Sequence, residues 1–592
     1  IDQSGAHFGS SVATAGDVNG DGYSDVIVGA PQYDVTTNNN EGAAYVFHGG
    51  PAGLANSAWT DESDQAVAVF GYSVASAGDV NGDGFADLIV GAPGYDNGET
   101  NEGRAFVYHG SSTGPVTSPS WTAEGNQVSA QLGTSVASAG DVNGDGYSDV
   151  IVGAYTYDNG QTDEGAAFVW HGSSIGLGAL GTPANADWHA EVNQAYAQFG
   201  HSVASAGDIN GDGYSDVIVG SPYYTHTASG EGGAFVWYGS PKGLGEQGYP
   251  GNADWSRDGI QANWNFGKSV ASAGDVNGDG YAEVIVGSPG FGGTFAGEGR
   301  ALLYYGAAAG LSTTIGWNAN GGQVGTAYGT SVASAGDVNG DGYADVVVGG
   351  PFFDGGAGAD TGDVMLYLGS AAGIPLLPDW NRGGTQAGEQ LGASVASAGD
   401  VNGDGYADLI VGAPRYDNGQ TDEGAAFLYY GNATKGRAVT PYQMRYNYSA
   451  KIDHLGKSER SDAFVIAARS YGFLGRGDVR LEWEVKRRGT SLDGTGLGID
   501  PSWYDTGASY VNQIGAVTGL TTNDVYHWRV RTRHRATTSP FQLWGRWLAQ
   551  PWGGRNEADV RLWLDTDGDG VSDNADNCPN VANANQADGD GD

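Results

Sequence analysis

Asp17-Val18-Asn19-Gly20-Asp21-Gly22-Tyr23-Ser24-Asp25 decides how this chain is read. The pattern D-x-N-G-D-G-aromatic-x-D returns at Asp79, Asp141, Asp208, Asp275, Asp337 and Asp400, at intervals of 62, 62, 67, 67, 62 and 63 residues. Only the fifth copy departs, closing on Glu283. Side-chain oxygens at the first, third, fifth and ninth positions, with the backbone carbonyl of the seventh, suit a hard cation such as calcium. The intervening glycines permit the curl that aims those oxygens inward. The expected ligands are Asp17, Asn19, Asp21, Tyr23 and Asp25; Asp79, Asn81, Asp83, Phe85 and Asp87; Asp141, Asn143, Asp145, Tyr147 and Asp149; and Asp208, Asn210, Asp212, Tyr214 and Asp216. The last three loops supply Asp275, Asn277, Asp279, Tyr281 and Glu283; Asp337, Asn339, Asp341, Tyr343 and Asp345; and Asp400, Asn402, Asp404, Tyr406 and Asp408. An EF-hand would need Glu at position 12 and flanking helices. Here that position is Val28, inside the apolar run Val26-Ile27-Val28, which reads as a buried strand. Asp, Asn and Gly also make plain turns; seven copies in register make the metal reading. Glu283 is one methylene longer than Asp, so its loop is expected to be the weakest or most altered.

Around each loop the chain repeats itself. Phe8-Gly9 stands nine residues before the first loop, matched by Phe70-Gly71, Leu132-Gly133, Phe199-Gly200, Phe266-Gly267, Tyr328-Gly329 and Leu391-Gly392. A small-residue strand, the loop, the apolar strand and Gly29-Ala30-Pro31 follow, then Glu41-Gly42 and a third strand, Ala44-Tyr45-Val46-Phe47. Trp59, Trp121, Trp188, Trp255, Trp317 and Trp380 each precede the next Phe-Gly equivalent by 11 residues. Four strands per unit, repeated seven times, predict an all-β ring of blades, a seven-bladed β-propeller. Tyr442 lies 42 residues after Asp400, as Trp59 does after Asp17. Residues 440–447 are therefore expected to supply the outer strand of the seventh blade and close the ring.

Phe-Gly and Gly-Ala-Pro bracketing such a loop resembles the FG-GAP repeat of integrin α subunits. The resemblance covers residues 1–447 and implies a propeller with seven calcium ions in loops on one rim. Gly153-Ala154-Tyr155 lacks the proline, and Gly220-Ser221-Pro222, Gly287-Ser288-Pro289 and Gly349-Gly350-Pro351 change the middle residue. No inserted domain or membrane span accompanies the blades, so the chain is not expected to be an integrin itself.

Charge divides the 592 residues. Residues 1–434 carry 7 Lys+Arg and 49 Asp+Glu, a balance of −42; residues 435–564 carry 19 and 12, a balance of +7; residues 565–592 carry 8 acids and no base. Such acidity argues against nucleic acid as a partner of the large part. No apolar run reaches the roughly 18 residues of a membrane span; no stretch of the sequence reads as a signal peptide, and the abrupt start at Ile1 is expected of a mature or trimmed form. Cys578 is the only cysteine, so the chain holds no internal disulfide.

Residues 448–563 lose the repeat. Leu481, Trp483 and Val485 alternate with Glu482, Glu484 and Lys486, and Tyr526, Trp528 and Val530 alternate with His527, Arg529 and Arg531, giving two half-buried strands. Gly519-Leu520 before Tyr526 resembles the tyrosine corner of a fibronectin type III sandwich. The arginine stripe is expected to face Glu482 and Glu484 rather than an anionic polymer. Arg476-Gly477-Asp478 is expected at a strand entrance, a chance match to the integrin-binding tripeptide. Residues 564–592 resemble the thrombospondin type 3 repeat, a calcium-wrapped stalk. Its expected ligands are Asp565, Asp567, Asp569, Val571, Asp573, Asp576, Asp588, Asp590 and Asp592. In that family the cysteine pairs with one farther along, so the natural protein is expected to continue.

Enzyme chemistry finds no support. Ser11, Ser73, Ser135, Ser202, Ser269, Ser331 and Ser394 recur in register, and one active site needs one nucleophile. His48, His109 and His171 share a strand position with Tyr238, Tyr305, Leu368 and Tyr430, so packing is expected of them. Packing is likewise expected of Tyr33, Tyr95, Tyr157, Tyr224, Phe291, Phe353 and Tyr416, in the loops after Gly-Ala-Pro. The expected role is a secreted or cell-surface calcium-binding adhesion or scaffold protein whose head contacts an extracellular protein or glycan. The alternatives are a self-assembling filament of copies of itself, a lectin, and an accessory part of a larger secreted enzyme.

Overall fold

The computed structural model describes residues 2–431, apart from 20–22, 35–38, 84, 146, 213, 280, 340–342 and 403–405, and most strands of a second unit within 442–562; residues 432–441 and 563–592 lie outside that description, as do several loop stretches between 445 and 559. No helix occurs among the described residues.

Six consecutive sheets have four antiparallel strands and a seventh has three among the described residues, forming a seven-bladed propeller. Blade 2 is typical: Ser73–Gly78 innermost, then Asp87–Ala92, Arg104–Tyr108 and Trp121–Glu124. The second strand is buried along its whole length in every blade. Sheets cover it on both faces, which is why it reads as a continuous Val/Ile/Leu run. Inner strands of successive blades pack side by side, and that of blade 1 meets that of blade 7.

The signature residues make the joints between blades. A Cβ on Gly71 would strike the carbonyl of Ala43, and Gly71 itself abuts Gly29 of the preceding Gly-Ala-Pro. Its φ of +82° is a second reason for glycine. The same glycine pair recurs at every joint, ending with Gly9 against Gly412, which closes the ring. Parallel bridges join Phe70 to Gly42 of the previous Glu-Gly, and Phe8 to Gly424. The tryptophans clamp outward: Trp59, Trp121 and Trp188 donate their indole N–H to Val116, Ala179 and Glu246 carbonyls of the next blade at 3.0, 2.7 and 3.0 Å. Gln3 grips the backbone of Asp34, and Gln65 that of Asp96, through both amide groups.

The expected packing roles hold. Tyr95, Tyr157, Tyr224 and Tyr416 meet Phe106, Phe168, Phe235 and Phe427 edge-on, and Phe291 meets Trp264. The rings of His109 and His171 lie close to Gly176 and Gly243 of the next blade. Tyr238, at the same position, accepts the Leu311 N–H at 2.8 Å. The serines bond between blades: Ser11 Oγ takes the Val74 N–H at 3.1 Å and Ser394 Oγ that of Val12 at 3.1 Å, while Ser331 Oγ donates to the Gly392 carbonyl at 2.8 Å.

One expectation is corrected. Tyr442–Met444 is a strand, but it does not complete blade 7; it pairs antiparallel with Phe464–Ser470, Gln443 opposite Ile466. Buried Gln443 Oε1 accepts the Trp528 indole N–H at 2.9 Å, which fixes the segment in the second unit. There two sheets enclose Phe464, Ile466, Leu481, Trp528 and Val530. Tyr526 Oη accepts the Thr521 N–H at 2.8 Å, the expected corner. Glu482 and Glu484 lie opposite Arg531 and Arg529 and pair with them, as expected. Asp478 opens a strand and pairs with Arg535 at 3.0 Å; Arg476 is outside the described residues.

Candidate metal centre

Each loop joins the inner strand to the buried second strand, at a bulge where Gly78 N–H turns back onto Ser76 Oγ at 3.1 Å. In blade 2, Asp83 N–H donates to Asn81 Oδ1 at 2.8 Å and to Asp79 Oδ1 at 3.1 Å, and Phe85 N–H donates to Asp83 Oδ1 at 3.0 Å. These bonds curl the backbone around the first, third and fifth side chains. Blades 3, 4 and 5 repeat them at Asp145, Asp212 and Asp279. Asp21, Asp341 and Asp404 of blades 1, 6 and 7 lie outside the described residues, as do all the expected C-terminal ligands, Asp565 to Asp592.

The ninth residue has a second role. Asp87 is fully buried, and its two oxygens accept the N–H groups of Val80 and Gly110, each at 2.9 Å. Asp25, Asp149, Asp216, Asp345 and Asp408 repeat both bonds. The carboxylate thus ties the loop to the end of the third strand. Glycines recurring there (49, 110, 172, 239, 306, 369 and 431) were the sequence signal for this staple. Burial pushes Asp87 well above the usual carboxylate range, the Gly110 and Val80 N–H groups pull it back, and Asp79 and Asp83 push it further. A cation among these oxygens would hold the carboxylates ionised.

In blade 5 the longer Glu283 places a carboxylate oxygen within 4.8 Å of Asp275 and Asp279. It is the one three-carboxylate group so gathered among the described residues. Glu283 Oε2 accepts the Val276 N–H at 2.7 Å, while Oε1 is buried without a hydrogen bond of normal geometry. The extra methylene thus makes this loop the altered one among those described, as expected of Glu283. All side-chain donors are oxygens, which fits a hard divalent cation and not a thiophilic one.

The loops are also joined to one another. The N–H of each eighth residue donates to the carbonyl of the preceding blade's first aspartate: Ala86 to Asp17, Ser148 to Asp79, Ser215 to Asp141, Ala282 to Asp208, Ala344 to Asp275, Ala407 to Asp337, and Ser24 to Asp400. These distances run from 2.9 to 3.0 Å. The expected metal sites form one closed circle on one rim.

Comparison with known proteins agrees with this geometry. The FG-GAP repeat model matches residues 8–47, 70–108, 132–170, 199–237, 266–304, 328–367 and 391–429. The thrombospondin type 3 repeat model matches residues 564–586. Integrin alpha-7 of Rattus norvegicus is 41% identical over 155 residues, 25% of this chain and 12% of that protein. Integrin alpha-PS2 of Drosophila melanogaster is 37% identical over 171 residues, 26% and 12% of the two chains. Integrin alpha-5 of Xenopus laevis is 32% identical over 226 residues, 36% and 20%. The matched region thus spans a fifth or less of each of these relatives.

Proposed function

This chain carries seven FG-GAP repeats and a thrombospondin type 3 repeat, and on that premise we propose that it is the calcium-dependent head of an extracellular adhesion or scaffold protein. The propeller presents a rigid face, the two-sheet unit is a fibronectin type III-like spacer, and the C-terminal repeat is the start of a stalk. Both repeat families occur on cell surfaces and outside cells, where millimolar calcium fills loops of modest affinity. The role is one of contact and not of catalysis; the recurring serines are spent on hydrogen bonds between strands.

The observation that carries this reading is the closed circle of acidic loops. Bound calcium would neutralise carboxylates that otherwise repel one another by about a kcal/mol per close pair at high dielectric. It would also stabilise the folded ring alone, by linkage. Calorimetry of the full chain in calcium and after dialysis against chelator tests this. The propeller transition is expected to fall by many degrees in chelator and to return when calcium, not sodium, is restored. An unchanged melting temperature after verified metal removal would sink the proposal.

A further inference from the structure

Each inner strand runs from its Phe-Gly joint to its metal loop, so the residue between joint and strand sits at the opposite mouth of the central channel. Blades 1, 3, 6 and 7 place Ser10, Thr134, Thr330 and Ala393 there; blades 2, 4 and 5 place Tyr72, His201 and Lys268. Lys268 Nζ lies 2.7 Å from His201 Nε2. An ammonium donates, so the imidazole accepts at Nε2 and is neutral. No carboxylate pairs with Lys268 among the described residues. Asp163, which reaches the Tyr155 hydroxyl electrostatically, forms no ion pair with it. Burial lowers the Lys268 ammonium from its ordinary range. A half-buried cation without a counter-charge is unusual anywhere, and more so where residues 1–434 carry 49 acids against 7 bases. Tyr155, standing where the other blades have proline, packs on His201 with ring centroids 5.6 Å apart. Tyr72 and Tyr223, 48% and 45% exposed, complete an aromatic rim on this arc.

We propose that Lys268, positioned by His201, receives a single carboxylate from an acidic side chain of a partner protein that docks over the Tyr72–Tyr155–Tyr223 rim. The proposal rests on the adhesion reading and specifies the chemistry of its contact. The ammonium keeps donors to spare after His201, and charge-assisted hydrogen bonds to a carboxylate are the strong kind. The rim supplies flat amphipathic surface of the sort enriched at protein interfaces. A polyanion would be repelled by the acidic propeller around it, whereas one acidic side chain brings a single charge.

The test uses the full chain in calcium and three probes: acetyl-Gly-Glu-Gly-amide, its Gln counterpart and a trimer of galacturonic acid, titrated by saturation-transfer NMR. The Glu peptide is expected to bind, the Gln peptide not. Lys268→Met should weaken binding roughly tenfold, the scale of one charged hydrogen bond, while Lys268→Arg retains it. Equal binding of Glu and Gln peptides, or an unchanged affinity in Lys268→Met at an unchanged melting temperature, overturns the proposal. Preference for the galacturonate trimer assigns the mouth to an acidic glycan and overturns the protein-partner reading. Chelator melting is measured separately on the same variants, so failure of the metal reading and failure of the carboxylate site are distinguishable.

Discussion

Asp87 shows how much one residue of the loop does. The sequence marks it as a ligand; the structure adds that both its oxygens hold backbone N–H groups, one of them 23 residues along the chain. That role depends on where the third strand returns, which no local pattern states. Asp83, exposed at the fifth position, has no such long-range bond among those described. Asp87→Asn leaves one oxygen for two N–H donors and turns an amide N–H₂ toward the other, costing about 1–3 kcal/mol with or without metal. Asp83→Asn should lower the melting temperature in calcium and change little in chelator. Urea titrations of both variants in both conditions check this; equal losses in chelator would refute the division of roles. Asp363 offers a separate test by pH. It is buried in blade 6, at a position held by Ala43 and Ala166 elsewhere, and burial pushes its carboxyl up to about 6. The folded state then binds the proton more tightly than the unfolded, so this group favours folding at low pH and opposes it as pH rises through about 6. Asp363→Ala is expected to melt higher than the parent at pH 7.5, with the gap shrinking by pH 5. A gap independent of pH would show that Asp363 is ionised at no cost.

At the scale of the element, what was legible is what repeats. The second strands, the four-strand units, the acidic loops and the clamping tryptophans all recur at fixed spacing, and seven copies average away the ambiguity of one. The Tyr442 segment was a single match to an interval, and tertiary pairing decided it otherwise: Gln443 bonds Trp528, so the strand joins Phe464–Ser470. The Phe-Gly and Gly-Ala-Pro motifs were readable as markers, but their cause lies in the joint, where the two glycines of neighbouring blades touch. Gly71→Ala combines a clash with the Ala43 carbonyl and a φ of +82°, an expected loss of about 2–5 kcal/mol. Gly322→Ala isolates the conformational part, since φ is +70° and nothing lies within 4 Å of a Cβ there. It should cost about 1 kcal/mol. Denaturation midpoints of the two variants, at equal slope, measure the difference. Equal losses would mean the joint is loose and the glycine motif serves backbone conformation alone.

The whole molecule depends on closure, and closure does not use the strand exchange expected from the Tyr442 interval. Phe8 bridges Gly424, Gly9 abuts Gly412, Val12 N–H reaches Ser394, and Ser24 N–H reaches Asp400. The joint between blades 7 and 1 therefore has the same contacts as the joint between blades 1 and 2, although it alone is formed by residues some 400 positions apart. In a closed ring the two joints are energetically alike. A Cβ on Gly9 would strike the Ala425 carbonyl just as one on Gly71 strikes that of Ala43, and the φ values are +87° and +82°. Gly9→Ala should then lower stability by the same amount as Gly71→Ala, within about 1 kcal/mol, despite lying only seven residues after Asp2, the first described residue. If the ring were open in solution, the first residues would be frayed, as chain ends ordinarily are. Gly9→Ala would then be nearly silent while Gly71→Ala kept its full cost. Paired urea titrations in calcium separate the two cases, and a silent Gly9→Ala would refute closure by the N-terminal Phe-Gly.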